Sequence, residues 1–454
     1  MSVFSTLLLA SSQLPPLPTD HDIQGYSTRI NDTFDITFNY NTSDARTVNI
    51  TTDDTGYWYC DAPSDVTITS LNFLFRGRSH LTRIAFGDSF DISSVTGMVC
   101  MFQGLSDLIS IDFGNSFSTS NVDDMDAMFD GCSSLTSIDL SSFNTGSVIA
   151  MQSMFQDCSS LTSIDLSSFN TSRVTTMQSM FEGCSSLTSI DVSGFDTSRV
   201  DDMDRMFRGC ESLTSIDLSY FDSTGVLTVT LSEMFRDCTS LTTVDFGGWT
   251  GDAFDTSKVT KMDGMFRNCT SLVTIIIQSY GAWNTQAVEK MDYMFYNCSS
   301  LVSLPNGFFN TTYSSVTTTS HMFYNCEQLN FNFQLNAPDC TDTSYMFYGC
   351  SSQRDIPDII GNNIKNMTQM FLGCASLSGY IRLPYYTSSV TNISSMFRGC
   401  TGITYLNLTS CDFNAASTYD KFIPNVSTLT VQYTTGKIPS AIISEFPNVN
   451  WVAL

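Results

Sequence analysis

Apolar residues recur along most of the chain in a phrase whose period changes within each copy. In the copy that runs from Leu135 to Cys158, Ile138 and Leu140 alternate with Ser137 and Asp139. Alternation with a period of two predicts a short strand with one buried face. Ile138 and Leu140 are therefore expected inside, with Ser137 and Asp139 outside. Asn144, Thr145 and Gly146 then read as a turn. From Val148 the spacing changes, and Val148, Met151, Met154, Phe155 and Cys158 fall three or four residues apart. That spacing predicts one face of a short helix. The next copy begins at Leu161, so one unit reads as strand, turn, short helix and return.

The phrase Met-Phe-x-x-Cys marks the copies. Its Phe falls at Phe102, Phe129, Phe155, Phe181, Phe207, Phe235, Phe266, Phe295, Phe323, Phe347, Phe371 and Phe397, with Phe75 in a degenerate earlier copy. The steps run from 24 residues (Phe323 to Phe347) to 31 (Phe235 to Phe266). A period in the twenties is that of leucine-rich repeats. Neither half of a unit can bury its apolar face alone, and stacking the units solves this. The expectation is an α/β leucine-rich-repeat solenoid, with a parallel β-sheet on one side and short helices on the other. The Met and Phe stripe is read as core, since an apolar stripe at this spacing packs inward.

The ends read differently. Residues 1–25, with Leu14-Pro15-Pro16-Leu17-Pro18, predict an extended arm. Residues 26–72 predict a small β cap, from the alternation over 34–40 and the strand signals at 47–50 and 57–59. The solenoid is placed at 73–408 and an α/β C-terminal cap at 409–454, with a strand at 426–431, a short helix at 439–446 and a last strand at 450–454. Residues 3–10 are mildly apolar with no Lys or Arg before them, which predicts no secretory leader there. No run approaches the ~20 apolar residues of a membrane helix, so no membrane insertion is expected.

Composition narrows the partners. The chain has 454 residues, 20 Lys and Arg against 45 Asp and Glu, and a formal charge of −25. Phosphate backbones repel such a chain, which argues against nucleic acid. Cations, basic proteins and neutral polar substrates such as glycans stay open as partners. Eleven of the 15 Cys, from Cys132 to Cys400, share one repeat position; the others are Cys60, Cys100, Cys340 and Cys411. Equivalent positions on packed neighbouring helices would lie about 8–10 Å apart, beyond disulfide reach. Buried free thiols are expected. A chain of metal ligands is disfavoured because the close Cys pairs of zinc sites are absent. His21, His80 and His321 are scattered. No nucleophile and base grouping or phosphate loop can be argued, so neither catalysis nor a cofactor is expected.

One constellation could bind something. The outward strand position is Asp in six successive units, at Asp112, Asp139, Asp165, Asp191, Asp217 and Asp245, and Ile276 takes it next. Ser110, Ser137, Ser163, Ser189, Ser215 and Thr243 flank them. Parallel strands stack ~4.8 Å apart, and two such charges in water repel by roughly 0.8 kcal/mol. The functional reading is an acidic strip for cations or a basic partner. The favoured reading is a solvated face whose Asp side chains also bond backbone at the turn.

The phrase Met154-Phe155-Gln156-Asp157-Cys158-Ser159-Ser160-Leu161-Thr162-Ser163-Ile164-Asp165-Leu166, followed by Phe169-Asn170-Thr171-Ser172-Arg173-Val174, resembles the BspA-like leucine-rich repeat surface proteins. The resemblance spans roughly residues 74–408. It implies a non-enzymatic extracellular or cell-surface protein that adheres to host proteins or other cells, so that a protein or a glycan on another surface is the partner it implies, with homo-oligomer or virion assembly left open. Similar copies in virion proteins imply the alternative, a virion fibre, decoration or capsid-attached component.

Overall fold

Alternately bonded peptide groups carry the Met-Phe-x-x-Cys phrase. Around Phe155, the N–H groups of Met154, Gln156 and Cys158 donate to carbonyls three residues back, at 3.3, 3.1 and 3.2 Å. The intervening N–H groups of Ser153, Phe155 and Asp157 donate to Gln178, Met180 and Glu182 of the following coil, at 2.8, 2.9 and 2.7 Å. Ser153 and Asp157 both take a left-handed φ of 55°. An α-helix turns every interior N–H back on its own chain and excludes positive φ. The short helices expected at this phrase are therefore replaced by tight turns. Turns permit the same three- and four-residue apolar spacing. They also send every second N–H to a neighbour, where a two-turn helix would leave its end groups bare.

The computed structural model describes the strand backbones 33–38, 46–51 and 57–60. It also describes residues 68–454 apart from 88–89, 224, 248–253, 255, 278–282, 306, 310–313 and 384–386. The expected arm at 1–25 and much of the expected cap at 26–72 lie outside the described residues. The chain divides into two compact units, Met1–Val200 and Asp201–Leu454.

In the first unit, β1 (Thr33–Phe38) and β2 (Arg46–Thr51) pair antiparallel. Strands β3 (Tyr57–Cys60), β4 (Arg83–Phe86) and β5 (Ser110–Asp112) form a parallel sheet in chain order. A second seam of parallel bridges joins Ser70, Gly97, Asp124, Ala150 and Thr176. Between the seams Phe75, Phe102, Phe129, Phe155 and Phe181 stack with centroids 5.2–5.6 Å apart. All five are buried, as are Met125, Met128, Met151, Met154, Met177 and Met180. The stripe is core, as its spacing implies. A third corner is held by buried Thr hydroxyls. Thr145 Oγ1 donates to the Asn170 carbonyl at 3.0 Å and accepts the Asn170 N–H at 2.7 Å, and Thr119 does the same with Asn144.

The second unit repeats this plan with β6 (Ser215–Asp217), β7 (Val229–Thr230), β8 (Thr243–Asp245), β9 (Val259–Lys261) and β10 (Thr274–Ile276). Strands β6, β8 and β10 form one parallel sheet, and β7 pairs with β9 on the turn seam. Strands β11 (Gln334–Asn336) and β12 (Asp358–Ile360) pair parallel. The largest sheet joins β13 (Ser378–Arg382), β14 (Gly402–Leu408), β15 (Thr430–Tyr433) and β16 (Asn450–Ala453), all parallel. A short helix, α1 (Ser440–Glu445), precedes β16. The late strands and helix fall near the places the sequence pattern assigns, and β15 and β16 continue the sheet of the repeats. The Phe column runs from Phe207 to Phe397 at 5.2–5.6 Å.

Strands on the sheet side are short. Residues 137–140, 163–166 and 189–192 form no regular strand. Ser137 and Asp139 are exposed and Leu140 is buried, as expected, but Ile138 is only half-buried. Its counterpart Ile216, on the regular strand β6, is fully buried.

Candidate functional site

The Asp strip is built by a local rule repeated in each coil. In the first unit, Oδ1 of Asp112, Asp139, Asp165 and Asp191 accepts the backbone N–H two residues on, from Gly114, Ser141, Ser167 and Ser193, at 2.9–3.0 Å. In the second unit, Asp217 and Asp245 accept from Ser219 and Gly247 at 2.8 Å. A carboxylate bonding its own turn is a common short-range arrangement. The Ser141, Ser167 and Ser193 hydroxyls, then their N–H groups, hold the Asp139, Asp165 and Asp191 carboxyls below the usual range. The charges of Asp139 and Asp191 oppose this weakly at Asp165.

All four aspartates of the first unit are exposed, and so are Ser110, Ser137, Ser163 and Ser189. In the second unit, Asp217 stands in register with Asp245, and Ser215 with Thr243. Asp217 and Ser215 are exposed and Asp245 is half-buried. In the same unit Ile276 is in register with Asp245. In the first unit Ala85 is in register with Asp112. Each carboxylate thus has Oδ1 committed to its own turn. Among the described residues, no group of three His, Cys, Asp or Glu is placed to hold a metal ion.

The repeat cysteines form an internal column. Cys158 Sγ donates to the Phe129 carbonyl at 3.2 Å, Cys184 to Phe155 at 3.1 Å and Cys238 to Phe207 at 3.0 Å. Every described Cys is a free thiol. Burial pushes the Cys132 and Cys184 thiols up to about 12. The side chain of Cys60 lies outside the described residues.

Two surface clusters escaped the sequence reading. On the turn side of the second unit, His321 stacks between Tyr293 and Tyr345, at 4.6 and 4.5 Å. Tyr324 stacks between Tyr296 and Tyr348, at 4.7 and 4.4 Å. Arg267 lies over Tyr293 and Tyr296 at 5.0 and 5.1 Å. Burial lowers the His321 pKa, which favours the neutral ring. On the sheet side, Tyr380 and Tyr405 stack at 5.1 Å beside Arg382. The signal was the residue type at the positions flanking each Met-Phe and at the outward strand positions. Coil lengths vary in this half, which hid the alignment.

A profile of the family described as Mycoplasma protein of unknown function, DUF285, matches residues 69–186, 160–252, 229–359 and 341–435. The chain belongs to this family. The match covers the segment whose phrase resembles the BspA-like leucine-rich repeats, and that resemblance stands. Among solved structures, the chain is similar to the pneumococcal vaccine antigen PcpA at 13% identity and a TM-score of 0.40, covering 95% of this chain and 99% of that one. It is similar to a leucine rich cell surface protein from Faecalibacterium prausnitzii at 16% and 0.29, covering 90% and 97%. It is also similar to the Treponema pallidum (T. pallidum) leucine-rich repeat protein TpLRR at 18% and 0.22, covering 57% and 87%. No curated protein matches the chain.

Proposed function

We propose that the chain is a non-enzymatic recognition protein of an extracellular or cell surface, binding a partner through the outward residues of its coils. The observation that carries this is a uniform core under a changing exterior. Phe and Met repeat inside almost every coil. The paired outward strand positions change from Ser110 and Asp112 to Thr274 and Ile276, then Gln334 and Asn336, then Tyr380 and Arg382. A core of one kind specifies the stack, while the variable face is free to suit a ligand. Among the described residues, no helix is long and apolar enough to cross a membrane.

Surface plasmon resonance of the full chain against immobilised extracellular-matrix proteins and glycans tests this. Saturable binding that outward substitutions weaken, without lowering the melting temperature, is expected. Silence across the panel would remove the reading.

A further inference from the structure

We propose that the outward face of the β13–β16 sheet binds a carboxylated sugar, with Tyr380 as stacking platform and Arg382 as partner of the carboxylate. This rests on the recognition reading above and names a ligand class for one face. The four strands, SGYIR, GITYLNL, TVQY and NWVA, contain no Asp or Glu and one cation. In a chain with 45 acidic and 20 basic residues, the acidic strip has given way here to a neutral surface with a single positive charge. One isolated cation suits one carboxylate. The chain's charge of −25 disfavours a polyanion.

The geometry is that of a prepared surface. Tyr380 and Arg382 are exposed while Ile381 between them is buried, so both project from one face, about 7 Å apart along the strand. Tyr380 is 60% exposed. One side of its ring rests on Tyr405, with the planes 19° apart. Asn407 Nδ2 donates to its hydroxyl at 2.7 Å. Asn407 is itself fixed, since its Oδ1 accepts the Thr409 N–H at 2.9 Å and hydroxyl at 2.7 Å. The ring is thus oriented before any ligand arrives, which lowers the ordering cost of binding.

The polar groups around it have capacity to spare. The Arg382 guanidinium donates to Ser410 Oγ at 3.3 Å, and no carboxylate pairs with it among the described residues. Its remaining donors keep the fork geometry that matches a carboxylate. Gln432 is opposite Asn407 in register, half-buried, and offers an amide that can both donate to and accept from hydroxyls. A sugar acid presents the complementary set: an apolar ring face, flanking hydroxyls and one carboxylate.

Saturation-transfer NMR on the full chain tests this with 3′-sialyllactose, a glucuronate-containing disaccharide and lactose. The first two distinguish a sialic from a uronic source of the carboxylate, and lactose removes it. Transfer to at least one acidic sugar and none to lactose is expected. Arg382→Gln should weaken binding about tenfold or more, a loss of about 1.4 kcal/mol or greater, at an unchanged melting temperature. Tyr380→Ala should abolish it and Tyr380→Phe should retain it. Silence with both acidic sugars, equal binding of lactose, or an unaffected Arg382→Gln variant would each overturn the proposal. A chain that takes no acidic sugar yet binds an immobilised protein keeps the recognition reading and loses this one.

Discussion

Phe155 and Phe181 lie face to face, with centroids 5.6 Å apart and planes 4° apart. Each ring belongs to a different coil, so the contact is made only when two coils are stacked. Replacing Phe181 with Ala should cost about 3–5 kcal/mol, as buried Phe truncations do. Coils couple mainly to their neighbours, so the damage should concentrate around Phe155 and Phe181. Denaturant unfolding with amide exchange checks both the size and the spread. Unchanged stability would remove Phe181 from the core.

The thiols should be silent in the folded chain. Alkylation needs a thiolate, and burial pushes Cys184 up to about 12 and Cys158 well up as well. Mass spectrometry after alkylation near neutral pH should find both unmodified. After denaturation without reductant, all eleven repeat cysteines should react. A Cys158 to Cys184 disulfide would contradict their separate bonds to the Phe129 and Phe155 carbonyls.

Asp126 should tie stability to pH. Burial, then the nearby Asp124 charge, raise its pKa to about 6, against the opposing N–H of Gln152. A raised carboxylate pKa means that the folded chain holds the proton more tightly than the unfolded chain. Its contribution is therefore fully present below the ordinary value near 3.8 and is lost as pH rises through about 6. Asp126→Asn keeps an oxygen for the Gln152 N–H and removes the charge. Thermal melts should show the variant more stable than the parent above pH 6, with the advantage vanishing in acid. An equal shift at both ends would mean that ionisation is not the cause.

The Asp strip should behave as a solvated face. Each carboxylate already bonds its own turn, as Asp165 does to Ser167 at 2.9 Å. Calcium takes about 6–8 oxygen ligands, and one carboxylate per coil is thin coordination. Titrations with calcium chloride and sodium chloride at equal ionic strength should give the same melting curves. Asp165→Asn with Asp191→Asn should melt close to the parent, since Asn preserves the acceptor. A calcium-specific rise lost in that double variant would establish a cation site.

Much of the fold was legible because burial is periodic. Met154 and Phe155 announce the core by spacing, and Leu140 and Asp139 announce opposite faces. Spacing alone does not say where peptide hydrogen bonds go, so it predicts helices where the chain forms turns. The deciding clue lies two residues after each Phe. Gly131, Asp157, Gly183, Asn268 and Asn297 all tolerate the left-handed conformation, and each has φ between 55° and 74°. Alternation reports direction but not the depth of cover, so it predicts burial for Ile138, which is only half-buried. Tyr380 and Arg382 went unnoticed because their coil departs from the consensus phrase, and departures are where an outward surface acquires its own chemistry.

The direction of the bonds between coils also has a temporal side. Ser153, Phe155 and Asp157 donate forward, to Gln178, Met180 and Glu182. During synthesis these donors emerge from the ribosome before their acceptors exist. A nascent coil must therefore wait, hydrated and open, until roughly one further repeat has been translated. Assembly should trail elongation by about one coil, and the newest coil is always the one exposed to proteases and chaperones.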